Sequence, residues 1–197
     1  MLAESRLIVA TRNSHKTLEI RAMLGDHWEV MDANDFVGLP VIEETGQTFL
    51  ENAVLKAVGI SRLVPGWVLA DDSGLEVDAL GGAPGVWSSS FGGEEGHHAK
   101  NNAHLLSAML GQAVRTARFR CTMVLATAGI AQADFCGTVE GWLAEAAQGE
   151  GGFGYDPLFI PEGYQQTFAE LGQNLKNQLS HRARALNQAI AWLKGRP

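Results

Sequence analysis

Residues 116–127, TARFRCTMVLAT, and the segment at about 129–139 that follows them decide the fold. Polar and apolar residues alternate in the first stretch well enough for one long strand, and a partner comes directly after it. Adjacent strands therefore pair in the second half of the chain. Upstream the pattern differs. RLIVAT (6–11) reads as a short buried strand, and His15 to Leu24 as a helix stopped by Gly25. Thr48 and Glu51 have the spacing of a capping box, and the helix they open carries Leu50, Ala53, Val54, Ala57 and Val58 as an apolar stripe. Trp67 to Ala70 reads as a buried strand ending at Asp71. Leu75 to Leu80 reads as another, before the turn-rich GGAPG, and residues 98–110 as a helix. The last helix shows Leu186, Ala189, Ile190 and Leu193 on one face. Alternating strands and helices followed by paired strands predict an α/β fold with a mixed sheet.

The 197 residues fit a single domain over 1–197 with a sizeable core. Near the start, the apolar run Leu7-Ile8-Val9-Ala10 is too short for a signal-peptide core or a membrane span. The expectation is a cytoplasmic protein with no membrane partner. A net charge of −7 argues against general nucleic-acid binding, which draws on a basic face. A small phosphorylated ligand needs only a few local cations. Cys121 and Cys136 have neither CxxC spacing nor clustered histidines and read as two reduced core thiols.

Four segments carry candidate chemistry. Thr11-Arg12-Asn13-Ser14-His15-Lys16 lies at a strand-to-helix junction, where backbone N–H groups and the helix dipole favour a polyphosphate. It lacks the glycines of a Walker A loop, and an ordinary capped helix with a surface lysine accounts for the same spacing. Asp71 and Asp72 follow an apolar strand, and Glu43-Glu44 precede the capped helix. Two such pairs can supply oxygen ligands to one Mg²⁺, while either alone equally fits a solvated turn. In an extended segment, adjacent residues point to opposite sides, so one aspartate of the pair is expected to face a cleft. Gly151-Gly152-Phe153-Gly154-Tyr155-Asp156-Pro157 presents an aromatic ring on a glycine-rich turn, either a stacking platform for a base or a plug. Finally, Lys176 and His181 in KNQLSHR would sit about 140° apart on one continuous helix, and share a ligand only from different sides or if a helix begins between them.

Taken in order, ATRNSHKTLE, EETGQTFLENAVLKA, ADDSGLEVDALGGAPGV, FGYDPLF and KNQLSHRARAL resemble the inosine triphosphate pyrophosphatase family over nearly the whole chain. The resemblance implies an elongated mixed-sheet α/β fold with two lobes around a nucleotide cleft, and a homodimer. It implies Mg²⁺-dependent hydrolysis of non-standard purine triphosphates (ITP, dITP, XTP) to the monophosphate and pyrophosphate. By position it makes Thr11, Asn13, Lys16 and Lys56 phosphate ligands, with Arg12, Ser14 and His15 beside them. Glu44 and Asp72 would hold metal, Asp72 would also be the base, and Ser73 would touch substrate. Phe153 would stack on the purine with Gly154, Tyr155 and Asp156, and Lys176, His181 and Arg182 would close over the base.

Arg12 stands where many relatives have Gly or Ser, and His15 where Gly often precedes the lysine. Trp87-Ser88-Ser89-Ser90-Phe91 replaces a segment that often reads YSARY, and Glu95-Gly96-His97-His98 one that often ends Ala-Thr-Asp. The two histidines read as a solvated loop. Two other functions fit the chain less well. One is a pyrophosphatase for pyrimidine or modified nucleotides of the Maf type, and the other is a nucleotide-binding module without catalysis.

Overall fold

A computed structural model describes residues 5–195. In chain order the elements are β1 (Ser5–Val9), α1 (Ser14–Leu24), β2 (Trp28–Asp32), α2 (Phe49–Ser61), β3 (Trp67–Val77), α3 (His98–Ala108), β4 (Thr116–Thr127), β5 (Ile130–Leu143), β6 (Phe159–Pro161), α4 (Phe168–Leu171), α5 (Gln173–Leu179) and α6 (His181–Lys194). The strands form one sheet in the order β2-β1-β3-β4-β5-β6. β1 lies parallel to β2 and β3, and β6 antiparallel to β5, so the sheet is mixed as expected. Ala128 (φ 50°) and Gly129 (φ 78°) join β4 to β5 in a two-residue turn. Two positive φ values match the twist of a tight hairpin.

Three expectations change. β3 is a single strand running through Asp71 and Asp72, whereas the sequence predicts a break there and a second strand from Leu75 to Leu80. Residues 78–80 instead form a 3₁₀ turn. The edge strand β2 was not predicted, since WEVMD is short and mixes charge with apolar residues. Cys136 is exposed, so only Cys121 is a core thiol.

The chain divides into two compact units, and β3, β4 and β5 contribute residues to both. Among the described residues, the first unit holds 5–72, 121–136 and 185–195. Strand alternation sorts its side chains into two cores. Leu7, Val9, Leu69, Cys121, Met123 and Leu125 pack with Ile20 and Leu24 of α1 and Ala185, Leu186 and Ala189 of α6. Ile8, Ala10, Val68, Ala70, Val124 and Ala126 pack with Ala53, Ala57 and Ile60 of α2. This unit is therefore helix on sheet on helix. Ile190 and Leu193 complete the expected stripe of α6. On α2 the face is rotated: Leu50 is exposed, and Asn52 and Lys56 are buried beside Ala53 and Ala57.

The expected capping box is present. Thr48 accepts from the Glu51 N–H, and the Glu51 carboxylate accepts from the Thr48 N–H. Thr48→Ala should lower unfolding free energy by about 1 kcal/mol in urea titration.

The second unit holds residues 73–120 and 137–184. Its core joins Leu75, Val77, Phe119 and Val139 to Leu105 of α3, to Met109 at that helix's C-cap, and to Phe159 and Phe168. The Phe119 ring meets Phe159 edge-on at 4.8 Å. No helix among the described residues is long and apolar enough to cross a membrane.

Candidate active site

The alternation that sorts the first unit's cores also parts its two aspartates. Asp71 follows the parity of Leu69, on the α1 side of the sheet, and Asp72 that of Val68 and Ala70, on the α2 side. Each meets a lysine there. Lys16 of α1 reaches Asp71 at 2.9 Å. Lys56 of α2 lies 3.0 Å from Asp72 and 2.5 Å from Glu44. Both aspartates are buried, and they point to opposite sides of the strand as its alternation predicts. The Cys121 thiol donates to the second oxygen of Asp71 at 3.7 Å.

These groups make one electrostatic cluster of three carboxylates and two ammonium groups, an excess of one negative charge. Burial raises the Asp72 carboxyl to about 6. Lys56 and Lys16 pull it down, but Glu44, within hydrogen-bond reach, pushes it up again. Burial lowers the pKa of Lys56, but Asp72, Glu44 and Asp71 outweigh it and the net shift is upward. Both shifts follow from uncompensated negative charge in a place poor in water.

The Thr11–Lys16 segment is more self-contained than its sequence implied. The Asn13 side chain caps α1, accepting from the N–H groups of His15 (3.0 Å) and Lys16 (3.3 Å), so two N-terminal donors are already used. Thr11 accepts from the Asn13 N–H. Arg12 turns to the loop after β2, donating to the Leu39 carbonyl at 2.7 Å and to Asn34. Ser14 and His15 are exposed on the first turn.

In the second unit, α5 stops at Leu179, Ser180 is extended (ψ 161°), and α6 starts at His181. Of the two arrangements left open for Lys176 and His181, a helix beginning between them is the one observed. The bend brings the Lys176 ammonium 4.4 Å, and the Arg182 guanidinium 5.8 Å, from the centre of the Phe153 ring. Lys176 also pairs with Asp156 at 2.5 Å, both side chains almost fully buried. Asp156 in turn accepts from the Phe153 N–H at 2.8 Å, fixing the turn. A side chain at Gly152 (φ 73°) would put Cβ 2.1 Å from that same carboxylate, so glycine is required. Arg182 donates to Ser73 at 2.9 Å. His181 is buried and stacks on Phe119 at 4.8 Å.

Tyr155 belongs to the core rather than to an open wall. It is 3% exposed, and its hydroxyl donates to the Ser88 carbonyl. Burial pushes its pKa up. Asn102 has no sequence signal, and the sequence reads His98 otherwise. Asn102 of α3 donates to the Gly154 carbonyl at 3.1 Å, and the His98 ring lies 6.0 Å from Phe153. His98 is thus not only part of a solvated loop, and His97 caps α3 by accepting from the Lys100 N–H.

Sheet and side chains together define a mixed-sheet α/β protein whose acidic cluster already holds two cationic side chains. The chain belongs to the Ham1 family, whose model matches residues 7–192. It is 45% identical to a protein named dITP/XTP pyrophosphatase from Desulforamulus reducens, over 95% of either chain. It is 47% identical to one of the same name from Geobacillus kaustophilus, over 92% of this chain and 91% of the relative. Among solved structures it matches the Staphylococcus aureus Ham1 protein with a TM-score of 0.86 at 36% identity, covering 97% of this chain and 99% of that one. A Coxiella burnetii HAM1 protein gives 0.87 at 36% identity, covering 98% and 100%.

Proposed function

We propose that this chain hydrolyses dITP, ITP and XTP to the monophosphate and pyrophosphate, removing non-standard purines from the nucleotide pool. Relatives named dITP/XTP pyrophosphatase suggest the substrate class. The observation that carries the chemistry is the cluster in which the exposed Glu44 and the buried Asp72 converge on one cationic group.

That cluster fits magnesium. The carboxylates are hard oxygen donors, they share one cation position, and the cluster is one positive charge short. No group of three or more His, Cys, Asp or Glu gathers at metal-holding distance among the described residues. Magnesium is commonly held by one or two carboxylates plus substrate phosphates and water, so Glu44 and Asp72 suffice. When bound, the ion would neutralise charge on the phosphate oxygens.

Lys16 and Lys56 would hold the phosphates in line for attack. Asp72 would take the proton of the attacking water as the bond from the α-phosphorus to the pyrophosphate oxygen breaks. In the second unit, Phe153 would carry the base and Arg182 would donate to a 6-keto oxygen. Adenine presents an amino group at that place, leaving a buried donor unmatched, and such mismatches reject a substrate by orders of magnitude. A homodimer in the cytoplasm is the expected setting, and sedimentation measures the assembly directly.

Incubation with dITP or XTP and Mg²⁺ should release pyrophosphate. Release of orthophosphate alone would place the cleaved bond elsewhere. Comparing kcat/KM for XTP, ITP, UTP and dUTP tests the Maf-type alternative, which requires preference for the pyrimidines.

A further inference from the structure

Asn52 contacts both limbs of the acidic cluster without being charged itself. It lies on α2 one turn before Lys56, on the same face, and is 3% exposed. Its side-chain oxygen accepts from the Gly46 N–H at 2.8 Å. That bond fixes which way the amide faces, because an N–H donor requires the oxygen end. The nitrogen is thereby directed to Asp72, donating to Oδ2 at 3.3 Å. Lys56 occupies the other oxygen, Oδ1, at 3.0 Å. Asp72 is thus held by two side chains from successive turns of one helix.

The second limb runs through the loop before α2. Gly46 is two residues from Glu44 and packs against the helix start so closely that no side chain fits. A Cβ there would lie 2.6 Å from the Glu51 Cβ and 2.7 Å from the Asn52 oxygen. Backbone strain is not the reason, since Gly46 is not among the residues with positive φ. Close approach is what brings the Gly46 N–H to Asn52 and sets where the Glu44 loop leaves the helix.

We infer that Asn52 is a positioning residue that ties the Glu44 loop to Asp72 through one buried amide, setting the separation of the two carboxylates. The inference rests on the function proposed above. It assigns Asn52 no contact with substrate. Losing it should therefore lower kcat and weaken magnesium binding while leaving nucleotide affinity in place.

Asn52→Ala tests this with two readouts, kinetics on XTP and calorimetric titration with Mg²⁺ alone. Expected are a fall in kcat of about tenfold or more, KM within about threefold of the parent, and Mg²⁺ binding weakened about tenfold. Gly46→Ala reaches the same amide from the other side and should reproduce the pattern, so the idea survives a variant that fails to fold. The double variant should lose little beyond the worse single one. Parent-like kcat and Mg²⁺ binding in either folded single variant overturns the inference. A uniform rise in KM at constant kcat overturns it too. A parent that releases no pyrophosphate would instead sink the proposed function, and the Mg²⁺ titration would still decide for or against Asn52.

Discussion

Asp72→Asn is expected to reduce kcat by about 10²–10⁴-fold, the usual contribution of a general base, while leaving the protein folded. The amide keeps the shape of the carboxyl, but its single oxygen can serve Lys56 or Asn52 and not both of the donors that hold Oδ1 and Oδ2 of Asp72. It removes the proton acceptor and one strong metal ligand. Stability should move the other way. The folded-state pKa of Asp72 is raised from 3.8 to about 6, so the carboxyl favours folding only while protonated. That advantage is full below about pH 3.8 and is lost as pH rises through about 6. Above it, the ionised group burdens the fold by up to about 3 kcal/mol. In magnesium-free buffer at pH 8 the variant should therefore melt no lower than the parent, and by a few degrees higher. At pH 4 the difference should vanish. Rapid-quench kinetics and calorimetric melting at both pH values check the two halves. Near-parent kcat would move the base to another residue, and a lower Tm at pH 8 would mean that the Lys56 pair outweighs burial.

The same residue shows how far the sequence could be read. The capping box at Thr48, the strand at 116–127 with its partner directly after it and the stripe on α6 are local patterns, and each is in the structure. The continuity of β3 is not local. Two acids followed by Ser and Gly look like a turn, and they remain in a buried strand because lysines from α1 and α2 meet them there. Those partners lie far away in sequence. Likewise, KNQLSHR left two arrangements open until the bend at Ser180 showed how one aromatic ring meets both Lys176 and Arg182. Asn52 and Asn102 gave no signal at all, since an amide on a helix usually marks a solvated face. Only the opposing group, Asp72 or the Gly154 carbonyl, gives either a role. Arg12 has partners that its local sequence did not show. Its position beside the phosphate segment made it a candidate ligand, but its guanidinium is bonded to the loop after β2.

The largest loss of stability is expected from Lys176→Met. Lys176 and Asp156 form an ion pair whose side chains are 3% and 2% exposed, at 2.5 Å. Replacing both members by apolar groups can be nearly neutral, but removing one leaves a buried carboxylate without its ammonium, which costs about 3–5 kcal/mol. Methionine keeps most of the length of lysine, so the loss reports charge rather than a cavity. Asp156 also anchors the Phe153 N–H. Its search for a new partner should therefore loosen the turn that carries the aromatic ring. Two consequences separate this from a general core defect. Adding Asp156→Asn to Lys176→Met should recover a large part of the stability, because the amide has no charge to strand and can still accept from the Phe153 N–H. Nucleotide affinity should not recover with it, because the cation 4.4 Å from the Phe153 ring is still missing. Urea unfolding at pH 7 for the parent, the single variant and the double variant measures the first, and KM for XTP the second. If the double variant is no more stable than the single one, packing rather than charge governs the site. If KM returns along with stability, Lys176 serves the fold alone.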